Sequence, residues 1–266
     1  MNNYFNGLYC VNIELTSRCN KNCWMCGRRK IGKEYPEIAM NYGDMDFELV
    51  KKIAKQLPEG IVVQLHNNGE PLVYPRFGEA AKLFKNQIRC IDTNAKLLVK
   101  KADEIIDNMD TVAISIFEKD EESEKQYELV KEFLKIRGDR KPNLIYRCLG
   151  NVDQTRWKEL DGIIVTRIFH NPLGSFAYTK SPTIPEIGIC LEILSHMAIN
   201  RLGEVSICVR FDPKRLGVVG NATVTPILDI WNGVKRQKWL KYHIEGRRDK
   251  IPLCSYCDFW GVPTGV

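Results

Sequence analysis

Apolar positions in the first two-thirds of the chain follow two alternating periodicities. Runs of strand length recur, and the segments between them carry apolar residues at helical spacing. Strands that alternate regularly with helices predict a parallel sheet with right-handed crossovers. Six such units predict an α/β fold in the form of an open, partial (β/α)6 barrel, whose active-site loops follow the carboxyl ends of the strands. The predicted strands are Leu8–Leu15, Ile61–His66, Ile88–Thr93, Thr111–Phe117, Leu144–Leu149 and Ile163–Phe169.

The segments between these strands carry helix start and stop signals. Asp46 is a candidate N-cap for the first helix, and Pro58 and Gly60 stop it. The other predicted helices lie around Phe77–Phe84, Leu98–Ile106, Glu121–Arg137 and Arg156–Leu160.

The alternation stops after about Pro185. A hairpin is predicted there, with Met197–Asn200 and Val205–Val209 as strands around a turn at Leu202-Gly203, and a helix over Ile227–Tyr242 follows. We therefore predict two domains, a barrel over residues 1–184 and a smaller hairpin-plus-helix domain over residues 185–266.

Composition limits the classes of function. The chain has 266 residues, 44% of them apolar, which is enough for a substantial core. No run approaches the ~20 apolar residues of a membrane span, and the start, Met1-Asn-Asn-Tyr, lacks the features of a signal peptide. The formal charge is +6, but the basic residues are dispersed in short pairs, which indicates solvated helix faces. We expect neither a membrane nor a nucleic-acid partner.

Ten cysteines without a secretion signal indicate a reducing, cytoplasmic compartment and metal ligation rather than disulfides. Three of them lie on the loop after the first predicted strand, in the run Cys19-Asn-Lys-Asn-Cys23-Trp-Met-Cys26, with the spacing C-x3-C-x2-C. Three thiolates can hold three irons of a four-iron, four-sulfur cube and leave the fourth iron open for a substrate. Zinc is the alternative, but it takes four ligands, usually in two pairs.

This spacing and placement resemble those of the radical S-adenosylmethionine (SAM) superfamily. The resemblance implies that Cys19, Cys23 and Cys26 hold a 4Fe-4S cluster, that its open iron chelates the methionine moiety of SAM, and that one electron from the cluster cleaves the C5′–S bond. It also implies a reductase, flavodoxin or ferredoxin as electron donor. The family's aromatic residue near adenine is replaced here by Met25, with Trp24 before it, and we expect this pair to lie beside the base.

A second motif follows the second predicted strand, in Gln64-Leu-His-Asn-Asn-Gly69-Glu70-Pro71. It resembles the family's Gly-Gly-Glu-Pro signature, with Asn68 in place of the first glycine. The resemblance implies that exposed backbone and side-chain oxygens of Asn68, Gly69 and Glu70 receive the ammonium group of SAM, whereas Gly-Glu-Pro alone indicates only a turn. Polar residues that end the next strands are candidate contacts to the ribose or carboxylate of SAM: Asp92, Asn94, Ser115 and Arg147.

The last four cysteines follow a further pattern along the chain. Cys190 comes first, then a Gly-x4-Cys segment from Gly203 to Cys208, then a predicted helix, and last a C-x2-C pair, Cys254 and Cys257. This order resembles the auxiliary-cluster domain of these enzymes, in the shortened form called twitch rather than the full form called SPASM. It implies a second 4Fe-4S cluster with every iron ligated; on spacing alone, zinc with four thiolates is the alternative.

The whole set of motifs resembles twitch-type radical SAM dehydrogenases of aminocyclitols. The resemblance implies hydrogen abstraction by a 5′-deoxyadenosyl radical from a small sugar-like or cyclitol-like polyol, and oxidation of an alcohol to a ketone with the auxiliary cluster as electron acceptor. Arg167 and His170, late on the sixth predicted strand, are the candidate catalytic partners of the substrate hydroxyl. A redox-neutral epimerase, a peptide-modifying maturase and a non-catalytic electron carrier remain alternatives. A carrier would need no Gly-Glu-Pro motif. Many peptide-modifying relatives have an added N-terminal domain that recognises the peptide, whereas only 18 residues precede Cys19 here.

Overall fold

The computed structural model describes residues 4–167, 189–255 and 257. Nine strands lie in these ranges: β1 Cys10–Ile13, β2 Val62–Gln64, β3 Ile88–Thr93, β4 Thr111–Phe117, β5 Asn143–Leu149, β6 Ile163–Arg167, β7 His196–Ile199, β8 Glu204–Ser206 and β9 Val218–Asn221. They form one sheet in the order β6-β5-β4-β3-β2-β1-β7-β8-β9. The first seven strands are parallel to their neighbours, and β8 and β9 are antiparallel.

The six predicted barrel strands are therefore present in a parallel sheet that does not close on itself, as the partial-barrel prediction requires. The hairpin of the predicted second domain belongs to the same sheet, because β7 pairs in parallel with β1 from Cys10↔His196 to Ile13↔Ile199. The domain boundary predicted at residues 184/185 falls outside the described residues.

The helices cover the crossovers and the C-terminal part. Asp46 caps the first predicted helix as expected, with its side chain accepting from Glu48 N and Leu49 N. The α-helices are α1 Gly27–Glu34, α2 Phe47–Ala54, α3 Phe77–Leu83, α4 Ala102–Ile105, α5 Ser123–Arg137, α6 Leu191–Ser195, α7 Ile227–Trp231 and α8 Val234–Ile244, with 3-10 turns at Pro36–Ile38, Pro71–Val73, Arg156–Glu159 and Arg248–Lys250.

Several elements differ from the sequence prediction. The helix expected around Leu98–Ile106 is confined to Ala102–Ile105, and the one expected at Arg156–Leu160 is a 3-10 turn over Arg156–Glu159. The helix expected over Ile227–Tyr242 is two helices, because Gly233 is extended (φ −66°, ψ 150°) and a Cβ there would lie 2.9 Å from the carbonyl oxygen of Asp229. The short helices α1 and α6 and the strand β9 were not predicted, since none of them has a run of apolar positions long enough to show a period.

Successive strand residues alternate between two faces of the sheet. One face is apolar and packs in the main core with Val11, Ile13, Val63, Ile91 and Ile114, each at most 1% exposed. The register brings polar residues together on the other, interior face, in the rows Asn12–Gln64–Cys90, Asp92–Ala113–Ile145, Ser115–Arg147–Val165 and Phe117–Leu149–Arg167.

A second, smaller core lies under β8 and α8. Ile193, Ile207, Trp239 and Ile251 form it, and Cys190, Cys208 and Cys254 pack against it. In the described ranges, no helix is both long enough and apolar enough to span a membrane.

Candidate active site at the carboxyl ends of the strands

Charged side chains anchor the loop that carries the first three cysteines. Lys21, between Cys19 and Cys23, is buried, and its Nζ donates to Oδ2 of Asp120 at 2.7 Å. The same ammonium lies 4.9 Å from the ring centroid of Phe117. Because a buried charge requires a partner, this ion pair ties the cysteine loop to the connection after β4.

Helix α1 holds the same loop from the other side. Arg28 donates to the carbonyl of Ser17, and Arg29 donates to the carbonyl of Lys21. Cys26 is the N-cap residue of α1. The helix that begins at the third cysteine therefore fixes the backbone before and between the first two.

Two thiols of this loop, those of Cys19 and Cys23, have raised pKa values and are costly to ionise. Burial raises the pKa of Cys23 to about 12, and it also raises the pKa of Cys19 above its ordinary value. The adjacent Cys26 thiol raises both further. A cation among the three sulfurs would remove this cost, so the donor set fits a cationic iron–sulfur site.

The Gly-Glu-Pro segment packs directly on the cysteine loop. A Cβ on Gly69 would lie 2.1 Å from the carbonyl oxygen of Thr16 and 2.8 Å from that of Arg18. The backbone N–H of Glu70 donates to the Arg18 carbonyl at 2.8 Å. Only glycine allows this approach, which places the two motifs of the sequence against each other.

The carboxylate of Glu70 is buried and accepts hydrogen bonds from neighbouring residues of the protein. It is 2% exposed. Its Oε1 accepts from Thr93 Oγ1 at 2.7 Å and from Leu72 N at 3.2 Å, and its Oε2 accepts from Asn94 N at 2.8 Å. The side-chain oxygens of Glu70 are therefore buried and hydrogen-bonded rather than exposed, and the role of this segment in receiving the ammonium group stays a prediction.

Asn68 is also engaged by the protein, through a residue that the sequence analysis missed. Oε2 of Glu14 accepts from the backbone N–H and the side-chain amide of Asn68, at 3.3 and 3.0 Å. Glu14 is fully buried at the end of β1, and burial raises its pKa. A charged residue that directly follows an apolar strand was the signal that could have identified it.

Asn94 joins the end of β3 to the cysteine loop. Its Nδ2 donates to Asn20 Oδ1 at 2.9 Å and lies 3.8 Å from the Cys19 sulfur. Nε2 of Gln126 donates to the carbonyls of Asn94 and Ser115, at 3.1 and 3.0 Å, and so holds the ends of β3 and β4 together. Ser115 lies on the interior face, level with Arg147.

Met25 and Trp24, the two residues expected near the adenine of SAM, differ from each other in their surroundings. Met25 is buried and packs with Phe117 and Leu149, at the carboxyl ends of β4 and β5. Trp24 is 51% exposed, and its Nε1 donates to the carbonyl of Glu118 at 3.0 Å. Met25 is thus placed to line a site above the sheet, and the Trp24 ring is partly open to solvent.

Arg147 belongs to a polar cluster on the interior face. It forms an ion pair with Oδ2 of Asp92, and Nε2 of His66 lies 3.3 Å from the same oxygen. Nδ1 of His66 accepts from the Asp92 backbone N–H at 3.0 Å, which places the proton of the imidazole on Nε2. Burial, with the nearby Arg147 charge, lowers the pKa of His66 to about 3, so the ring is neutral.

Arg167 ends β6 on the interior face, beside Leu149 in register. Burial, with the positive charge of Arg210, lowers its pKa. His170, the other residue expected to contact substrate, lies outside the described residues.

The C-terminal cysteines form a second group. Cys190, Cys208 and Cys254 pack against the small core, and Arg248 Nη1 donates to the carbonyls of Cys254 and Cys257 at 2.6 and 2.9 Å. Burial raises the pKa of Cys254 to about 12 and raises that of Cys208 well above its ordinary value. Like the first three, these thiols fit a cationic cluster.

A cavity of about 450 Å³ lies between the segment of residues 37–41, which follows α1, and the C-terminal hairpin. Glu14 and Asn68 line it from the barrel, and Asn200, Arg201 and Cys208 line it from the hairpin side. Its lining thus includes Asn68, which directly precedes Gly69, and one C-terminal cysteine, Cys208.

Two family models match the chain. Residues 13–164, more than half of the chain, match the model described as the radical SAM superfamily. Residues 190–258 match SPASM, described as an iron–sulfur cluster-binding domain.

Two proteins of known description are similar to the chain in sequence. The chain is 24% identical over 262 residues to the S-adenosyl-L-methionine-dependent 2-deoxy-scyllo-inosamine dehydrogenase of Niallia circulans, a match that covers 96% of this chain and 94% of that protein. It is 36% identical over 91 residues to the tungsten-containing aldehyde ferredoxin oxidoreductase cofactor-modifying protein of Pyrococcus furiosus, covering 32% of this chain and 24% of that protein.

A solved structure, BtrN in complex with AdoMet and 2-DOIA, has a TM-score of 0.60 and 21% identity and covers 94% of this chain and 93% of that one. At this identity, the likeness to the solved structure is one of fold.

Proposed function

Because the chain belongs to the radical SAM superfamily and carries a SPASM-type iron–sulfur domain, we propose that it is a radical SAM oxidoreductase that oxidises an alcohol carbon of a small polyol-like substrate to a ketone. One observation carries the proposal. The three-cysteine loop, the Gly69-Glu70 segment and Asn94 lock together at the carboxyl ends of β1, β2 and β3, beside an interior face that carries several polar side chains. An iron–sulfur loop that only transferred electrons would need neither a Gly-Glu-Pro segment packed against it nor polar side chains beside it.

The residues that would hold each group follow from this arrangement. Cys19, Cys23 and Cys26 would hold the SAM-binding cluster, and Cys190, Cys208, Cys254 and Cys257 the auxiliary cluster. The backbone of the Asn68–Gly69 segment would receive the ammonium group of SAM. When bound, the two clusters and SAM supply a 5′-deoxyadenosyl radical that takes a hydrogen atom, and a site for the electron that leaves the substrate.

The chain's own residues orient the ligands and exclude water. Glu70 fixes Asn94 beside Cys19 through the bond from the Asn94 backbone N–H. Met25, Phe117 and Leu149 provide an apolar wall next to the cysteine loop. Such a wall keeps solvent from a reactive intermediate, and rigid positioning brings the substrate C–H to the radical carbon.

The substrate class is inferred from the relative that matches along nearly its whole length, which is described as a dehydrogenase of an amino-substituted inositol. We further propose that a reductase, a flavodoxin or a ferredoxin donates the electron. We also propose that the protein is located in the cytoplasm.

The test is an anaerobic incubation of the reconstituted, reduced enzyme with SAM and a panel of cyclitols, aminocyclitols and sugars, alongside a matched panel of peptides. We expect a ketone product, two mass units lighter than its polyol and formed together with 5′-deoxyadenosine. A product of unchanged mass would show an epimerase instead. Conversion of peptides but of no polyol would contradict the proposed substrate class.

A further inference from the structure

One buried cation lies inside the first cysteine loop and has no part in the proposed chemistry. Lys21 stands between Cys19 and Cys23, and its side chain is 3% exposed. Its Nζ donates to Oδ2 of Asp120 at 2.7 Å, and the Asp120 side chain is 4% exposed. Taking two charges out of water is costly, and an apolar pair of similar volume is often as stable. A buried ion pair at this position therefore calls for a role besides stability.

Backbone contacts already anchor the loop without this charge. Arg28 and Arg29 donate to the carbonyls of Ser17 and Lys21. An apolar side chain at position 21 could also pack against the ring of Phe117, whose centroid lies 4.9 Å from the Lys21 Nζ. The positive charge itself is the feature that anchoring does not explain.

The surroundings of the Lys21 ammonium group leave its charge poorly screened. The Phe117 ring that faces it belongs to the apolar wall beside the loop. A charge among apolar side chains is screened much less than a charge in water. Glu122 is the next carboxylate, at 3.6 Å, but its side chain is 40% exposed and accepts from Lys96 at 2.6 Å. Asp120 is thus the main counter-ion of Lys21.

The cation acts on the cysteines more strongly than its counter-ion does. Burial is the largest cause of the raised pKa of Cys23, and the Cys26 thiol adds to it. The charge of Lys21 lowers the same pKa, and the opposing effect of Asp120 is smaller. The ion pair as a whole therefore presents a positive field to the Cys23 sulfur.

We propose that Lys21 stabilises the reduced state of the iron–sulfur cluster at the first cysteine loop, and that Asp120 holds Lys21 in place and limits its effect. This inference rests on the proposed function, because it concerns the cluster that Cys19, Cys23 and Cys26 would hold. Reduction by the proposed electron donor adds one negative charge among the three thiolates, so a nearby cation favours it. The charge around such a cluster is one of the factors that set its reduction potential.

Opposite substitutions separate this electrostatic role from a structural one. An anaerobic redox titration of the reconstituted holoenzyme, followed by electron paramagnetic resonance without SAM or substrate, measures the midpoint potential of each cluster. We expect Lys21→Met to lower the potential of the first cluster by about 59 mV or more, which is a tenfold change in the equilibrium constant of a one-electron reduction. Asp120→Asn should raise this potential, because Lys21 then keeps its charge and loses its counter-ion.

A double variant keeps the test valid if Lys21→Met does not assemble the first cluster. Lys21→Met with Asp120→Asn leaves no unpaired carboxylate in the protein interior. Its first cluster should have a lower potential than that of Asp120→Asn alone, because the two proteins differ only in the charge of residue 21.

The second cluster is the internal control, and its potential should be the same in all these variants. Cys26→Ala, which removes a ligand of the first cluster, identifies the signal of the second. Lys101→Met is the matched control, because Lys101 forms a partly buried ion pair with Glu104 of α4, at 2.8 Å. It should change neither potential. Lys21→Arg keeps the positive charge and should retain most of the wild-type potential.

Three results would overturn the inference: a first-cluster potential that Lys21→Met leaves unchanged or raises, a lower potential in Asp120→Asn, or an equal shift of both clusters. None of these measurements depends on turnover. Failure of the proposed function would show separately, as an iron content that Cys26→Ala leaves at the wild-type value or as absent 5′-deoxyadenosine formation by the reduced wild type.

Discussion

Glu70 acts on the site through its neighbours, since both of its carboxylate oxygens accept hydrogen bonds from the protein. We predict that Glu70→Ala destabilises the fold by on the order of 3 kcal/mol, because it leaves buried donors of Thr93 and Asn94 unpaired. SAM affinity should also fall, because Asn94 is displaced from Cys19. Chemical unfolding and SAM titration measure the two effects.

The exposed Glu79→Ala is the control for this variant and should change neither quantity appreciably. An unchanged unfolding free energy in Glu70→Ala would contradict the assigned hydrogen bonds.

His66 makes a pH-dependent contribution to stability. Burial, with the Arg147 charge, lowers its pKa to about 3, well below that of the unfolded chain. Its contribution is therefore complete above about pH 6.5 and is lost as the pH falls towards 3, because the unfolded state takes up a proton that the folded state does not. Between pH 8 and 5.5, the stability difference between wild type and His66→Gln should fall by about 1.4 kcal/mol.

Anaerobic urea unfolding at the two pH values measures this change. A difference that stays constant, or grows on acidification, would mean that the imidazole is protonated in the folded protein.

The residues of the site differ in how clearly the sequence reveals them. Cys19 could be identified from the C-x3-C-x2-C spacing, which ligand chemistry sets. Gly69 could be identified from the resemblance of its segment to the family signature, and Asn94 from its place at the end of a predicted strand. The partner Lys21 could not, because nothing at its position in the sequence shows that the fold will bury it and supply a counter-ion. Glu14 did have a signal, since it is a charged residue beside an apolar strand.

At the scale of elements, the approach of the Gly-Glu-Pro segment to the cysteine loop is the most sensitive contact. Gly69→Ala would place a Cβ 2.1 Å from the carbonyl oxygen of Thr16, so one of the two loops has to move. We predict a lower melting temperature and weaker SAM binding, both measurable on the reconstituted protein.

Gly32→Ala is the matched control, because a Cβ there meets nothing within 4 Å and Gly32 lies in α1. It should preserve SAM affinity and raise helix stability slightly. Equal behaviour of the two alanine variants would contradict the close approach at Gly69.

Strands β3 and β4 begin and end where the apolar pattern predicts, because long runs buried on a parallel sheet leave a strong signal. The division between α7 and α8 falls at Asn232-Gly233, a dipeptide typical of turns, although the apolar positions continue across it. In the folded chain, Gly233 approaches Asp229 so closely that a Cβ there would lie 2.9 Å from the Asp229 carbonyl oxygen.

At the scale of the whole molecule, the barrel and the cysteine-rich tail share one sheet, because β7 covers the edge of β1. A chain that ends at residue 184 would expose this edge together with the apolar side chains beneath it. We predict that it is insoluble when expressed, whereas the full chain is soluble. A soluble, SAM-binding truncation would show that the two parts are independent.

The two cysteine groups are separate sites within this sheet. Anaerobically reconstituted wild type should hold about eight irons per chain, and Cys254→Ala with Cys257→Ala about four. The double variant should still form 5′-deoxyadenosine but lose the oxidised product, because it lacks the second redox centre. A wild-type value near four irons with one bound zinc would contradict the second cluster.

Cleavage of SAM is the most direct test of the central claim, that the cysteine loop and the Gly69-Glu70 segment form a radical SAM site. The reduced, reconstituted wild type is incubated with SAM, and methionine and 5′-deoxyadenosine are measured by mass spectrometry. We predict equal amounts of the two products from the wild type and neither product from Cys26→Ala. Intact SAM in the wild type, despite a fully loaded and reduced cluster, would contradict the account.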